Sequence, residues 1–299
     1  SKWLDRRVKD LSHGQVLLRP EDLNALFNPV GLDRLALRES PMLGTCCLFN
    51  LDSTLLPSWS VDAEAWKTVE EEEDGLEAVF EVDERAGMKV EEIVRRKYGV
   101  RDFAEARRIG LRFFEARQSL LAEYEFEPYG PALGFLRLLS STGCTMGGYT
   151  RLPAEFLPRM VEKLEGLLLA STITTPDSSY ETPQQTLLGC SLSTRVAPLR
   201  TVVFDPTPPN LIASHDAGMR CIAVGGSAGS YYPAYEMKVA DLRVDDWEDL
   251  RVQNVAAIVA EAVGWGEQEQ EMEMDVDDGL GGGGGGGGRG AIGRNKRWD

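Results

Sequence analysis

The feature that most constrains the fold is a short apolar run, Thr45–Leu51, which lies between Gly44 and Asp52. A run of this length, bounded by a turn residue and a polar side chain, is typical of a strand buried on both faces of a parallel sheet. Sites in open parallel sheets form at the carboxyl ends of the strands. The polar side chains at the end of this run, including Asn50 and Thr54, are therefore candidates for a functional site.

The residues after Pro128 alternate between amphipathic helical patterns and short apolar runs. Strands are predicted at 144–149, 201–204, 220–224 and 239–244, and helices at 131–141, 153–169, 209–218 and 250–263. Such alternation is typical of a parallel sheet with helices on both faces. We therefore expect an α/β, Rossmann-like fold.

A block of predicted helices, residues 59–127, interrupts this alternation directly after the first strand. Within the block, Val90, Ile93 and Val94 recur at helical spacing. Helices inserted at this point of an α/β chain predict a cap that interrupts the core.

The chain therefore divides into four predicted parts. They are an N-terminal extension (1–42), an α/β core (43–58 and 128–265), a helical cap (59–127) and a C-terminal tail (266–299). The tail combines an acidic run with the glycines Gly281–Gly288, which have no side chains to bury, so we expect it to be disordered. The extension either packs on its own domain or docks to a protein partner, and the tail is a second candidate contact for a partner.

The chain is strongly acidic, with 48 Asp and Glu residues against 32 Lys and Arg residues and a formal net charge of −16. An acidic protein offers no counter-charge to a phosphate backbone, which argues against nucleic acid as a partner. No run reaches the roughly 18 apolar residues that a membrane-spanning helix needs. We expect neither a nucleic-acid partner nor a membrane span.

Five cysteines and two histidines are scattered along the chain, with no CxxC spacing and no cluster of Cys and His. Buried reduced thiols are the expected state of such cysteines, which predicts an intracellular, reducing compartment, the cytosol or an organelle interior. His215 is expected on the surface of its helix. Because the chain begins at Ser1, a targeting segment that has been removed stays an open alternative.

Three segments resemble motifs of the haloacid dehalogenase (HAD) superfamily of phosphoryl-transfer enzymes. Asn50–Leu55, N-L-D-S-T-L, is similar to the first motif, D-x-D-x-T-L. Phe126–Thr150 is similar to the segment that leads to the phosphate-binding Thr or Ser of the second motif. Val202–Val224 resembles the fourth motif, in which acidic residues precede a helix, the sequence A-G-M and a strand. The resemblance covers residues 43–263 and is greatest to the helical-cap branch with the phosphoglycolate phosphatases and β-phosphoglucomutases.

The resemblance implies a role for each matching residue. Asp52 takes the place of the acid/base carboxylate, and Thr150 and Ser53 take the place of phosphate-binding hydroxyls. Asp205 and Asp52 would be the remaining ligands of a magnesium ion, the cofactor that the resemblance implies. Asn50 stands where the superfamily carries its nucleophilic Asp.

The departures from the superfamily pattern concern the reacting groups themselves. Asn50 replaces the nucleophile, and an amide nitrogen is not nucleophilic because its lone pair is delocalised into the carbonyl group. Pro206 stands at the second acidic position of the fourth motif and has no side-chain ligand for a metal. Glu181 stands near the place of the expected lysine, and no Lys occurs between Lys163 and Lys238.

Two functions follow from this pattern. The first is a HAD-like pseudoenzyme with a binding, regulatory or assembly role, whose pocket keeps a small phosphorylated molecule as its ligand. The alternative is a magnesium-dependent phosphatase or phosphomutase that acts on a small phosphorylated metabolite through Asp52 and Asp205.

Overall fold

The computed structural model of the chain describes residues 17–27, 40–56, 58–73, 76, 90–178, 180, 182–224 and 236–263. The predicted tail, 266–299, and Glu181 lie outside the described residues. Among the helices described, none is both long and apolar enough to cross a membrane.

The described residues contain one sheet of six parallel strands. The strands are β1 (Cys46–Asn50), β2 (Thr145–Tyr149), β3 (Ile173–Thr174), β4 (Thr201–Phe204), β5 (Arg220–Val224) and β6 (Leu242–Val244). Their order across the sheet is β3-β2-β1-β4-β5-β6, so β1 lies inside the sheet and pairs with both β2 and β4. The predicted α/β fold with a parallel sheet is confirmed.

Helices flank the sheet and also fill the insert after β1. They are α1 (Pro20–Phe27), α2 (Trp59–Glu72), α3 (Val90–Lys97), α4 (Phe103–Glu123), α5 (Gly130–Ser141), α6 (Leu157–Lys163), α7 (Pro183–Thr194), α8 (Pro208–Asp216) and α9 (Val252–Ala262).

Alternate side chains of β1 enter two separate apolar cores, one on each face of the sheet. Cys47 and Phe49 pack with residues of α5, α6 and α9. Cys46 and Leu48 pack with residues of α1, α7 and α8. This two-sided burial explains why the strand reads as a continuous apolar run and not as an alternation.

The inserted helices α2, α3 and α4 have an apolar core of their own. Trp66 of α2 stacks on Phe113 of α4 with ring centroids 4.3 Å apart, and Ile93 and Val94 of α3 join the same cluster. The backbone N–H of Tyr129 donates to the carbonyl of Leu55 at 2.9 Å, so the chain leaves the core and returns to it at neighbouring points. The boundaries of the four predicted parts stay predictions.

The described part of the N-terminal extension packs on the core. Leu23 of α1 is buried in the cluster that contains α7 and α8. The backbone N–H of Leu18 donates to Gln185 Oε1 at 2.9 Å, and Gln185 Nε2 donates to the carbonyl of Leu18 at 2.9 Å. Leu18, Leu23 and Phe27 therefore pack within the chain itself, whereas Leu17 is 67% exposed.

Besides strand β6, which begins at Leu242 and not at Val239, two elements differ from the sequence prediction. The helix predicted at 153–169 ends at Lys163, because Glu165 and Gly166 adopt left-handed backbone conformations with φ of 56° and 67°. Strand β3 is not predicted at all, since its two residues are too few to show a periodic pattern.

Candidate functional site

The candidate site lies where β1, β2 and β4 end, at the carboxyl edge of the sheet. Asn50 is the last residue of β1, Tyr149 is the last residue of β2, and Asp205 follows β4 directly. The three strands are adjacent and parallel, so their ends meet although Asn50 and Asp205 are 155 positions apart. A π-helical turn, Leu51–Leu55, follows Asn50 and brings Asp52 to the end of β2.

Asp205 is fully buried and surrounded by hydrogen-bond donors. Its Oδ2 atom accepts from Asn50 Nδ2 at 2.7 Å, from Asn210 Nδ2 at 2.7 Å and from the hydroxyl of Tyr149. Its Oδ1 atom accepts from the backbone N–H of Thr207 at 2.7 Å and from the Thr207 hydroxyl at 2.5 Å. These five contacts exceed the roughly four lone-pair sites that a carboxylate offers, so none of those sites is left free.

Burial and hydrogen bonding shift the pKa of Asp205 in opposite directions. Burial raises the pKa of this carboxyl group, and the hydrogen bonds that it accepts from Thr207 and Tyr149 act against the rise. Burial and the nearby Asp205 charge raise the pKa of the Tyr149 phenol well above its usual range. The phenol therefore stays protonated and donates a hydrogen bond to Asp205. Asn50 and Asn210 must turn their nitrogens toward Asp205, because an ionised carboxylate only accepts hydrogen bonds.

Asp52 is held by a second, separate set of donors. Its Oδ1 atom accepts from the hydroxyls of Ser58 at 2.9 Å and Thr150 at 2.8 Å. Its Oδ2 atom accepts from the backbone N–H of Arg151 at 2.6 Å. The carboxyl group is thus fixed at the end of β2, in the wall of a cavity.

The two predicted phosphate-binding residues lie at this cavity. The Thr150 hydroxyl donates a hydrogen bond to Asp52, and its oxygen accepts one from the backbone N–H of Leu152 at 3.0 Å. Ser53 also lines the cavity. To bind a ligand oxygen, Thr150 must exchange its hydrogen bond to Asp52 for one to the ligand. The binding role of both residues stays a prediction.

The cavity has a volume of about 270 Å³, close to the lower end of small-molecule sites, roughly 300 Å³. Hydroxyl groups are frequent in its wall, with five Thr, two Tyr and one Ser among the lining residues. These are Ser53, Tyr149, Thr150, Thr175, Tyr180, Thr182, Thr186 and Thr207. Such a wall suits a small polar molecule.

Arg151 carries the positive charge among the described lining residues. Its side chain is 52% exposed, and its guanidinium group lies 3.4 Å from Asp62 of α2. Asp62 also pairs with Arg117 of α4 at 2.7 Å. The cation at the rim of the cavity is therefore partly neutralised by an acid of the inserted helices.

The hydrogen bonds of Asp205 oppose the binding of the magnesium ion that the resemblance implies. Mg²⁺ requires oxygen ligands in near-octahedral geometry, at least one or two of them from carboxylates. The oxygens of Asp205 already accept hydrogen bonds, and Asn50 presents a nitrogen with protons to the same place. Pro206 adds no side-chain ligand. An ion at Asp205 would have to displace the N–H and O–H groups that now point at its oxygens.

Sequence reasoning alone does not single out Tyr149, Asn210 or Arg151. Asn210 has a recognisable signal, because it lies in the first turn of α8, five residues after Asp205. In the sequence, Tyr149 is recognisable only as the last residue of a predicted strand. The role of Arg151 depends on the position of Asp62, which belongs to the insert.

No protein-family model matches the sequence, and no curated protein is similar to it. Solved structures do resemble the fold. A HAD hydrolase of family IA, variant 3, from Entamoeba histolytica is 16% identical with a TM-score of 0.57, over 72% of this chain and 99% of that chain.

CbbY from Rhodobacter sphaeroides is a second structural neighbour. Its complex with phosphate is 18% identical with a TM-score of 0.51, over 69% of this chain and 96% of that chain. An Asp-to-Asn variant of CbbY in complex with xylulose-1,5-bisphosphate is 17% identical with the same TM-score of 0.51, over 69% and 96% of the two chains. Together with the six-stranded parallel sheet, these likenesses show that the chain has the fold of the haloacid dehalogenase-like hydrolases.

Proposed function

We propose that this chain is a pseudoenzyme that binds a small phosphorylated molecule without transferring its phosphoryl group. The observation that carries the proposal is the hydrogen bond of 2.7 Å from Asn50 Nδ2 to Asp205 Oδ2. It joins the nucleophile position to a metal-ligand position. The amide of Asn50 fills the nucleophile position, and its hydrogen bond occupies an oxygen of Asp205 at the metal-ligand position.

The reaction of the superfamily needs groups that this site lacks. Covalent phosphoryl transfer starts from an activated nucleophile, and the amide of Asn50 is neutral and already donates to Asp205. Removal of a covalent nucleophile typically lowers the rate by several powers of ten. Asp52 alone retains an acid/base function but has no nucleophile to assist.

Ligand binding is compatible with the same changes. An amide in place of a carboxylate removes a negative charge that would repel a phosphate group at the end of β1. Arg151 supplies a positive charge at the rim of the cavity. The neighbour CbbY was crystallised with phosphate, and an Asp-to-Asn variant of it with xylulose-1,5-bisphosphate, which supports a phosphorylated molecule as the ligand class here.

An activity assay distinguishes the pseudoenzyme from a working phosphatase. The purified chain, Asn50→Asp and Asp52→Ala are incubated with Mg²⁺ and either p-nitrophenyl phosphate or a panel of sugar phosphates. We expect no phosphate release from the wild-type chain and none from Asn50→Asp, because Pro206 and the missing lysine also block the reaction. Turnover by the wild-type chain that disappears in Asp52→Ala would establish the alternative, a working phosphatase or phosphomutase.

We also propose that the N-terminal extension, 1–42, or the tail, 266–299, contacts a protein partner. Within the extension, Leu23 of α1 packs against the core, so the candidate contacts are the other residues of the extension. Affinity capture with the full chain and with chains that lack 1–40 or 266–299 tests this role. If neither deletion changes the captured proteins, the proposed contact is wrong.

A further inference from the structure

A cluster of potential metal ligands lies at the amino ends of the strands, opposite to the cavity at their carboxyl ends. His215 is in the last turn of α8, Cys221 is the second residue of β5, and Asp241 directly precedes β6. All strands are parallel, so Cys221 and Asp241 lie near the amino ends of their strands, whereas Asn50 and Asp205 lie at the carboxyl ends. This cluster is therefore separate from the candidate site described above.

The two distances from His215 Nε2 to the other ligand atoms match those around a tetrahedral zinc ion. His215 Nε2 lies 3.5 Å from Cys221 Sγ and 3.6 Å from Asp241 Oδ2, and the three ligand atoms lie within 4.8 Å of one another. Zinc bonds to sulfur, nitrogen and oxygen place neighbouring ligand atoms about 3.3–3.6 Å apart in tetrahedral geometry. An ion can therefore contact all three side chains once His215 Nε2 gives up its hydrogen bond to the Val239 carbonyl.

More acceptors surround His215 Nε2 than one nitrogen can satisfy. The carbonyl oxygen of Val239 lies 2.8 Å from it, in addition to Cys221 Sγ and Asp241 Oδ2. A ring nitrogen carries at most one proton, so it cannot donate a full hydrogen bond to each of these atoms. The carbonyl of Val239 can only accept, so Nε2 carries its proton toward Val239, and an ion bound at Nε2 requires the tautomer with the proton on Nδ1 and replaces this hydrogen bond.

The surrounding backbone and side chains hold Asp241 in position. Its Oδ1 atom accepts from Arg220 Nη1 at 2.7 Å, and its Oδ2 atom accepts from the backbone N–H of Cys221 at 2.8 Å. Such outer contacts orient carboxylate ligands in metal sites. The side chain of His215 is 38% exposed, which leaves a path for an ion from solvent.

We propose that His215, Cys221 and Asp241 bind a zinc-class divalent cation through Nε2, Sγ and Oδ2, respectively. A thiolate, an imidazole and a carboxylate form a ligand set typical of zinc and unlike the all-oxygen sets of Mg²⁺ and Ca²⁺. The ion links α8, β5 and the short edge strand β6, so its effect is to stabilise this edge of the sheet.

Metal binding must release the thiol proton. An ordinary cysteine thiol is mostly protonated at pH 7. The sulfur coordinates as a thiolate, and its proton passes to the solvent. We therefore expect about one proton to be released for each ion bound by the full chain at pH 7.

The test uses the full-length chain, first treated with a chelator and then titrated with Zn²⁺ or Co²⁺. The variants are Cys221→Ala and His215→Gln, with Cys190→Ala as the matched control, because Cys190 is also a buried free thiol. Zinc content after desalting, the thiolate-to-cobalt charge-transfer absorbance and the proton release in buffers of different ionisation enthalpy are measured.

We expect one zinc ion for each wild-type and Cys190→Ala chain, with the charge-transfer absorbance in both. Affinity should fall at least about 100-fold in Cys221→Ala and His215→Gln, more than the loss typical for an outer contact of a metal site. His215→Gln alters an exposed side chain, so its circular dichroism should remain that of the wild-type chain. The proposal is overturned if the wild-type chain retains no zinc, or if both variants retain it as tightly as the wild-type chain does.

Discussion

Asn50 and Asp205 are hydrogen-bonded at the ends of two neighbouring strands, with the amide nitrogen as donor and the carboxylate oxygen as acceptor at 2.7 Å. Two carboxylates at these positions would repel each other unless a cation or a shared proton lay between them. The amide of Asn50 donates a hydrogen bond to Asp205 without a cation or a shared proton. The stability of the sheet at the carboxyl ends of β1 and β4 should therefore depend on this amide.

Asn50→Asp should destabilise the chain at pH 7. The substitution places a second buried carboxyl group against Asp205 Oδ2, and we expect the free energy of unfolding to fall by about 1–3 kcal/mol, the cost of an unsatisfied buried polar group. The loss should be smaller at acid pH, where one proton shared by the pair restores a hydrogen bond. Urea denaturation at several pH values measures both effects.

The matched control for that substitution is Asn254→Asp. Asn254 Oδ1 accepts from the backbone N–H of Arg251 at the exposed start of α9, and a carboxylate can accept the same bond. We expect a change within about 0.5 kcal/mol for this surface position. A loss of stability in Asn254→Asp as large as that in Asn50→Asp would contradict the explanation based on Asp205.

The stability of the wild-type chain relative to Asp205→Asn should decrease as pH rises. Burial raises the pKa of Asp205 above its ordinary value of 3.8, so the unfolded chain loses this proton at lower pH than the folded chain does. The contribution of the carboxyl group to stability is complete below 3.8 and is lost as pH rises through the folded pKa. Denaturation curves of both chains from acid to neutral pH test this. A wild-type advantage that grows with pH would show that the pKa is lowered.

Arg151→Gln should weaken the binding of inorganic phosphate. The substitution removes the positive charge among the described lining residues, and we expect about a tenfold loss of affinity, equal to about 1.4 kcal/mol. Isothermal titration calorimetry measures the affinity. Arg137→Gln is the matched control, because Arg137 is similarly exposed, at 55%, and pairs with Glu165 away from the cavity. Equal losses in the two variants would indicate a non-specific charge effect.

Gly148→Ala should destabilise the sheet. A Cβ atom at Gly148 would lie 2.7 Å from the carbonyl oxygen of Phe49 and would also collide with Leu51, so β1 and β2 would have to separate. We expect a loss of about 1–3 kcal/mol, as is usual for overpacking. Thermal and urea denaturation measure it.

Gly134→Ala is the opposite control. A Cβ atom at Gly134 meets no atom within 4 Å, and the residue lies inside helix α5. Because Ala favours a helix over Gly, we expect a gain of up to about 1 kcal/mol. A loss of stability in this variant would show that alanine substitution at glycine is harmful here for reasons other than steric overlap.

Much of the sheet is predictable from the sequence because its strands are apolar on both faces. Strand β1, predicted at 45–51, forms at Cys46–Asn50, and the strand predicted at 201–204 forms there as β4. Strand β6 is shorter than predicted, since residues 236–239 form a 3₁₀ turn. Strand β3 forms through its pairing with β2. Its two residues carry no local sequence pattern that predicts this contact.

The placement of Asn50, Asp52 and Asp205 at one edge is also predictable, since each follows a predicted strand of a parallel sheet. Their hydrogen-bond partners are not. The position of the Tyr149 hydroxyl at Asp205, and that of Arg151 beside Asp62, depend on packing between segments far apart in the chain.

The sequence by itself determined five of the six described strands, the fold class and the replacement of the nucleophile by Asn50, because local apolar patterns and residue identities carry this information. Only the tertiary structure decided that this amide donates to Asp205 and that His215, expected on a helix surface apart from any cysteine, lies beside Cys221. The physical reason is that hydrogen bonds and metal-ligand geometry act over about 3 Å. Such distances between remote residues are set by how the strands and helices pack.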